Sequence, residues 1–157
     1  YVTMLGYNYR MNEIQSVLGI EQVKRLNEFL KQRKLNYERL YDGLKEIDEI
    51  SLFQSSHGDY QSSYYCLSIL LNEPLVKKRF EIVDYLKGRG VGTSVYYPHP
   101  VPHLTYYKEK YDYGEETYPV AAMISNGSIA LPVGPHLNIE DMNYIIVSIR
   151  NAIKEVK

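Results

Sequence analysis

Two stretches of the sequence carry side chains suited to chemistry. The first is Leu5-Gly6-Tyr7-Asn8-Tyr9-Arg10-Met11-Asn12-Glu13, where a glycine, an amide and a guanidinium fall together just ahead of a helical pattern. Asn8 can donate through its amide, and Arg10 presents a fixed cationic fork. Beside a helix N-terminus these groups suit an anion such as a phosphate. They equally suit a plainer task, satisfying backbone groups where the helix starts. The second stretch, Gly92 to His103, reads as a strand running into a loop stiffened by Pro98, Pro100 and Pro102. That loop presents Tyr97, His99 and His103. Loops held by a rigid strand often carry binding groups, and histidine can donate or accept near neutral pH. The plain alternative is a stiff surface loop with solvated histidines.

Other chemistries find no support. His99 and His103 are separated by two prolines, and the sequence has no H-E-x-x-H, so no metal site is expected. There is no P-loop, no nucleophile elbow and no G-x-G-x-x-G. The glycines of Gly88-Arg89-Gly90-Val91-Gly92 follow a helical pattern and precede a strand. That is the wrong polarity for a phosphate cradle and reads as a helix end and turn. A single cysteine, Cys66, excludes an internal disulfide and a cysteine zinc cluster, and points to a reducing, cytoplasmic setting. Lys and Arg number 18 against 19 Asp and Glu, which gives no general electrostatic reason to bind nucleic acid or an anionic membrane. No apolar run is long enough to span a bilayer. Charged residues from Arg10 to Glu28 do not fit a signal peptide. The 17 tyrosines, against 3 Phe and no Trp, suit polar pockets and wet interfaces.

Helices and strands must position these groups. Ile14, Val17, Leu18 and Leu26 fall on one helical face, with Ile20, Val23 and Leu30 at its edges. A helix over 12–29 that is apolar on more than one face expects burial on several sides. Gly19 marks either a junction between two helices or a close packing point. The pattern resumes through Tyr37, Leu40, Tyr41 and Leu44, with Lys31, Arg33, Lys34, Glu38 and Arg39 on the solvated side. Ser55 to Asp59 is a turn cluster, and Tyr64 to Leu71 a buried strand. Pro74 opens a helix capped by Asn72 or Glu73, with Val76, Phe80, Val83 and Leu86 as its face. Strands follow at Gly92–Tyr97 and Ser128–Val133, with a short helix from Pro119 to Ser125 between them. Asn138 caps a last helix, with Asp141 completing a capping box and Met142, Ile145, Ile146, Ile149 and Ile153 as its stripe. The order predicts an α/β or α+β fold, a small sheet covered by helices.

In sequence order, three of these blocks resemble DegT/StrS-type sugar aminotransferases. Gly6 to Gly19 is similar to that family's G-x-N-x-R-M-x-E-x-x-A-x-x-G segment. Gly90-Val91-Gly92-Thr93 with the Tyr97-Pro98 turn resembles a second block, and Ile129-Ala130-Leu131-Pro132-Val133-Gly134-Pro135-His136-Leu137 a third. The resemblance runs the length of the chain. It implies the C-terminal small domain of a pyridoxal 5′-phosphate (PLP) enzyme of aspartate aminotransferase fold. Residues 1–30 would form an interdomain and dimer-interface segment, and residues 31–157 the small domain. The large domain, with the lysine that forms the aldimine, would precede Tyr1, so the chain by itself would be inactive. The resemblance also implies a homodimer that moves an amino group from glutamate to a keto nucleotide sugar, as in perosamine synthases. Asn8 would reach the cofactor phosphate of the other subunit, Arg10 would line the same interface, and Tyr97, His99 and His103 would border the sugar-nucleotide site. The strand at Tyr64–Leu71 lacks the histidine and arginine that many relatives carry there. A same-family dehydratase with the lysine replaced, or a non-enzymatic tyrosine-rich binding module, are the competing readings.

Overall fold

The computed structural model describes residues 9–157. Asn12 opens the first helix: its side-chain oxygen accepts from the Gln15 amide at 2.9 Å, and Gln15 Oε1 accepts from the Asn12 amide at 3.1 Å. This reciprocal cap satisfies two of the donors that a helix start leaves unpaired. Helix α1 (Glu13–Leu44) then runs unbroken for 32 residues. Gly19 is neither a junction nor, among the described residues, a close packing point, because a Cβ added there would meet only Met11 Cε of these, at 3.5 Å. One glycine costs about 1 kcal/mol, which the good helix formers around it outweigh. The close approach lies at Gly43, where a Cβ would stand 2.2 Å from Ile146 Cδ1. The second half of α1 buries Asn36, Tyr37, Leu40 and Leu44. The first half buries nothing: Ile14, Val17, Leu18, Ile20 and Val23 are all exposed.

Strand β1 (Ile50–Leu52) is followed by a hairpin of β2 (Ser56–His57) and β3 (Tyr60–Gln61), turned at Gly58 with φ +56°. Strand β4 (Cys66–Leu71) alternates, with Leu67, Ile69 and Leu71 buried and Cys66, Ser68 and Leu70 half-buried. A 3-10 turn, Leu75–Lys78, leads into α2 (Arg79–Gly88). Two short helices, α3 (Thr105–Tyr111) and α4 (Pro119–Gly127), precede β5 (Ser128–Pro132), and α5 (Ile139–Val156) closes the fold. The sheet is antiparallel in the order β1-β4-β5, with Leu67 opposite Leu131 and Ile69 opposite Ile129. α1, α2 and α5 pack together on the sheet. The core between them centres on Leu40, Leu44, Ile69, Ile82, Leu86, Ile129, Met142 and Ile149, each fully buried. The expected small sheet covered by helices is the observed mixed α/β architecture.

Three local expectations need correction. The face of α2 is Leu75, Arg79, Ile82 and Leu86, while Phe80 is exposed. Of the expected face, Leu86 is buried and Val76 and Val83 pack partly buried against the core, while Arg79, an i+4 step from Leu75, takes the buried place expected of Phe80. No side chain caps that turn. Asn72 instead donates to Asp48 O at 2.8 Å and accepts from Ser51 Oγ at 2.9 Å, fastening β1 to the turn. The strand expected over Gly92–Tyr97 shrinks to one bridge, Ser94 with Ala130. β1, the β2–β3 hairpin and α3 were not expected. No helix among the described residues is long and apolar enough to cross a membrane.

Candidate functional site

The chain after the Ser94 bridge carries the second chemical stretch. Tyr96 and Tyr97 are both exposed, with ring centroids 5.9 Å apart, and Tyr96 in turn lies 6.2 Å from Tyr65. His99 is exposed. His103 is not: its side chain is only 9% accessible, and Nε2–H donates to Thr117 O at 3.0 Å. Its other nitrogen stands 3.6 Å from Glu115 Oε2. Lys108 pairs with the same carboxylate. That lysine holds the Glu115 carboxyl below its ordinary range, with His103 and His99 adding smaller pulls in the same direction. His99 and His103 therefore share one cleft of about 520 Å³ with Thr105, Lys108, Glu115 and Asn126. Tyr97 does not line it. His99 is presented outward, and His103 braces the loop from behind.

A second set of contacts fixes the Tyr97 end. Ser125, in the last turn of α4, donates its hydroxyl to the Tyr97 carbonyl. The Ser125 carbonyl in turn accepts from Arg79 Nη1. Arg79 is 6% exposed and pairs with no carboxylate among the described residues; burial works against its charge. Its guanidinium meets the negative end of the α4 dipole instead, which favours a cation there. The buried arginine thus holds the helix end that holds the loop. Sequence reasoning missed it, although the 75, 79, 82, 86 spacing places Arg79 on the buried stripe.

Arg33 is a parallel case. Expected on the solvated side of α1, it is half-buried, and its Nε is fully enclosed without a hydrogen-bond partner. The series 30, 33, 37, 40, 44 puts it on the apolar stripe, so spacing held the signal and residue type concealed it. The first chemical stretch is divided. Asn8 lies outside the described residues. Arg10 is exposed, two positions ahead of the Asn12 cap, and shares no cleft with Tyr97, His99 or His103. Among the described residues no group of three His, Cys, Asp or Glu side chains could hold a metal.

The chain is similar to known proteins in sequence and in fold. GDP-perosamine synthase of Escherichia coli O157:H7 is 30% identical over 147 residues, covering 93% of this chain and 37% of that protein. The structure of Helicobacter pylori PseC, an aminotransferase involved in the biosynthesis of pseudoaminic acid, superposes with a TM-score of 0.85 at 23% identity. It covers 99% of this chain and 41% of that one. The structure of the E. coli GDP-4-keto-6-deoxy-D-mannose-3-dehydratase with bound hydrated PLP gives 0.78 at 20% identity, covering 93% and 37%. At those identities the two structures speak to the fold. The chain spans 32% to 40% of the length of the curated relatives it matches. The model of the DegT/DnrJ/EryC1/StrS aminotransferase family matches residues 1–150, and the chain belongs to that family.

Proposed function

We propose that this chain supplies the C-terminal part of a PLP-dependent sugar aminotransferase. In this reading a homodimer moves an amino group from glutamate to a keto nucleotide sugar. Residues 1–30 form the interdomain and dimer-interface segment, residues 31–157 the small domain. The lysine that holds the cofactor belongs to a large domain outside this chain. The observation that carries the reading is the first half of α1. A capped helix bearing Arg10 at its start exposes 75% of Ile14, 61% of Val17 and 70% of Val23. Contiguous apolar surface of this kind marks a missing partner surface.

The residues present suit the cofactor's phosphate. Arg10 is accessible and lies at the positive end of the α1 dipole, where an anion is favoured. Asn8 and Arg10 would hold the phosphate of the neighbouring subunit's cofactor. When bound, PLP supplies the electron sink for the chemistry. Tyr97 and His99 border the sugar nucleotide, and His103 holds their loop in place. The test is titration of PLP into the stripped, full-length dimer carrying Asn8→Ala. A hydrogen bond to a charged group is worth about 1.5–3 kcal/mol, so affinity should fall roughly 10- to 100-fold with secondary structure preserved. Arg10→Ala should weaken both cofactor binding and dimerisation. A small loss of stability with unchanged affinity would reduce Asn8 to a helix-start residue.

A further inference from the structure

The loop that carries Tyr97, His99 and His103 has little hold on the core of its own. The 3-10 turn Val101–His103 and α3 bury no side chain, and α4 buries only Ser125 and Gly127, both near its C-terminal end. Pro98, Pro100 and Pro102 remove three amide donors from the loop, and Pro100 is its one buried residue. Both ends of the loop are tied to α4 instead. The Tyr97 carbonyl accepts from the Ser125 hydroxyl in the last turn of that helix. His103 Nε2 donates to Thr117 O, two residues before the helix starts. Ala122 and Asn126 of α4 also line the cleft that His99 and His103 share. Where α4 sits therefore decides where the loop sits.

Arg79 ties α4 to α2. The Ser125 carbonyl is among the last four of its helix, which a helix leaves without internal partners. Arg79 Nη1 donates to it, so Ser125 carries two bonds, its carbonyl to Arg79 and its hydroxyl to Tyr97. Next to it Gly127 rests on β4, where an added Cβ would come within 2.9 Å of Leu70 Cδ1 and 3.3 Å of Leu71 O. That contact is steric and limits how closely the helix end approaches. The bond from Arg79 is directional and fixes how the end is oriented. A buried guanidinium without a carboxylate adds no more stability than an apolar side chain of its size often would. What the apolar side chain lacks is that directed bond.

We propose that Arg79 is a positioning residue for the loop that presents Tyr97 and His99: acting through Ser125, it holds α4 and residues 97–103 as one unit in the orientation that meets the substrate. The effect on substrate rests on the reading above, in which Tyr97 and His99 border the sugar nucleotide; the hold on the loop does not. Loss of the bond leaves the loop in place in a smaller fraction of molecules, and apparent affinity falls by that fraction. Once the substrate is bound the loop is in place again, so turnover is spared.

The test compares R79M, R79K, S125A and the R79M/S125A double variant in the full-length protein. R79M keeps the apolar stem and removes every donor. Amide exchange over residues 97–104 and 120–127 should quicken roughly 10- to 100-fold in R79M, the range of a hydrogen bond to a charged group. Exchange in α5 should stay as it is. R79K, which keeps the charge and a donor, should recover part of the loss. S125A should quicken exchange around Tyr97, and adding it to R79M should change little, because both act through one residue. Kinetics use glutamate and a panel of GDP- and UDP-linked 4-keto-6-deoxy sugars. On the best of these R79M should raise KM roughly tenfold and hold kcat within about twofold. Unchanged exchange in R79M overturns the proposal, since the contact at Gly127 then suffices. Faster exchange throughout, α5 included, also overturns it and leaves Arg79 a general role in stability. So does a fall in kcat with KM unchanged. An unsubstituted protein that aminates none of the panel counts against the transamination reading, and the exchange measurements then decide the role of Arg79 by themselves.

Discussion

α1 and α5 begin in the same way and end up in different surroundings. Each starts at an asparagine whose side chain accepts from the N3 amide while the N3 side chain accepts from the cap: Asn12 with Gln15, and Asn138 with Asp141. Each carries an apolar series at helical spacing. On α5 the series is buried, with Met142 and Ile149 fully enclosed. On the first half of α1 it is bare, with Ile14 the most exposed at 75%. The cap and the periodicity therefore specify a helix but not its cover. Cover comes from tertiary partners, and only the second half of α1 finds them within this chain, against α5 and the sheet.

The largest test of that contrast is truncation of matched aliphatic residues. Ile149→Ala removes a fully buried side chain and should lower stability by about 2–5 kcal/mol. Val17→Ala, at a position 61% exposed, should stay within about 0.5 kcal/mol. Urea unfolding of the 157-residue chain measures both. A comparable loss at Val17 would show that the bare face is covered in solution by a second copy, and repeating the measurement across protein concentration would identify it.

The two glycines of α1 sharpen the contrast within one helix. Gly43→Ala drives a Cβ into Ile146, and overpacking of this kind costs about 1–3 kcal/mol. Gly19→Ala meets only Met11 Cε at 3.5 Å and gains helix propensity of up to about 1 kcal/mol. The first should lower the urea midpoint. The second should raise helical ellipticity and leave the midpoint where it is.

What was legible in the sequence follows the same division. α5 was readable to its cap because every signal is local: Asn138, Asp141 and an unbroken stripe. β4 and β5 were readable because apolar runs between turn signals have few alternatives. Arg33 and Arg79 occupy stripe positions that spacing alone would bury; Arg33 was misplaced because charge was taken to imply solvent, and Arg79 was passed over. Burial of an arginine needs a carbonyl or a ligand that only the fold supplies; Ser125 lies 46 residues from Arg79. The tether from Ser125 to Tyr97 spans 28 residues and is equally invisible to local pattern. The strand expected over Gly92–Tyr97 failed for a related reason. Its composition suits a strand, but β5 already pairs along its length with β4, and only Ser94 reaches its other edge. Tyr97, His99 and His103 were singled out by residue type on a proline-stiffened loop, whereas the inward brace made by His103 depends on Thr117 and Glu115, which sequence could not bring to it.

The smallest test replaces the caps themselves. Losing an N-cap asparagine costs about 0.5–2 kcal/mol of helix stability. At Asn138 that loss is transmitted to the whole molecule, because the first turns of α5 include Met142 and Ile145 of the core. Asn138→Ala should therefore lower the urea midpoint, because the Glu140 and Asp141 amides lose the Asn138 Oδ1 that accepts from them at 2.8 and 3.1 Å. At Asn12 the same change releases a half-helix with no core contact. Local opening is then the cheaper response, since segments with few buried contacts unfold without the rest. Asn12→Ala should reduce ellipticity at 222 nm and speed amide exchange over residues 13–20, while the midpoint stays put. Equal midpoint shifts from the two substitutions would mean that α1 unfolds as one unit with the core, and that its bare half is held by contacts beyond those seen in this chain.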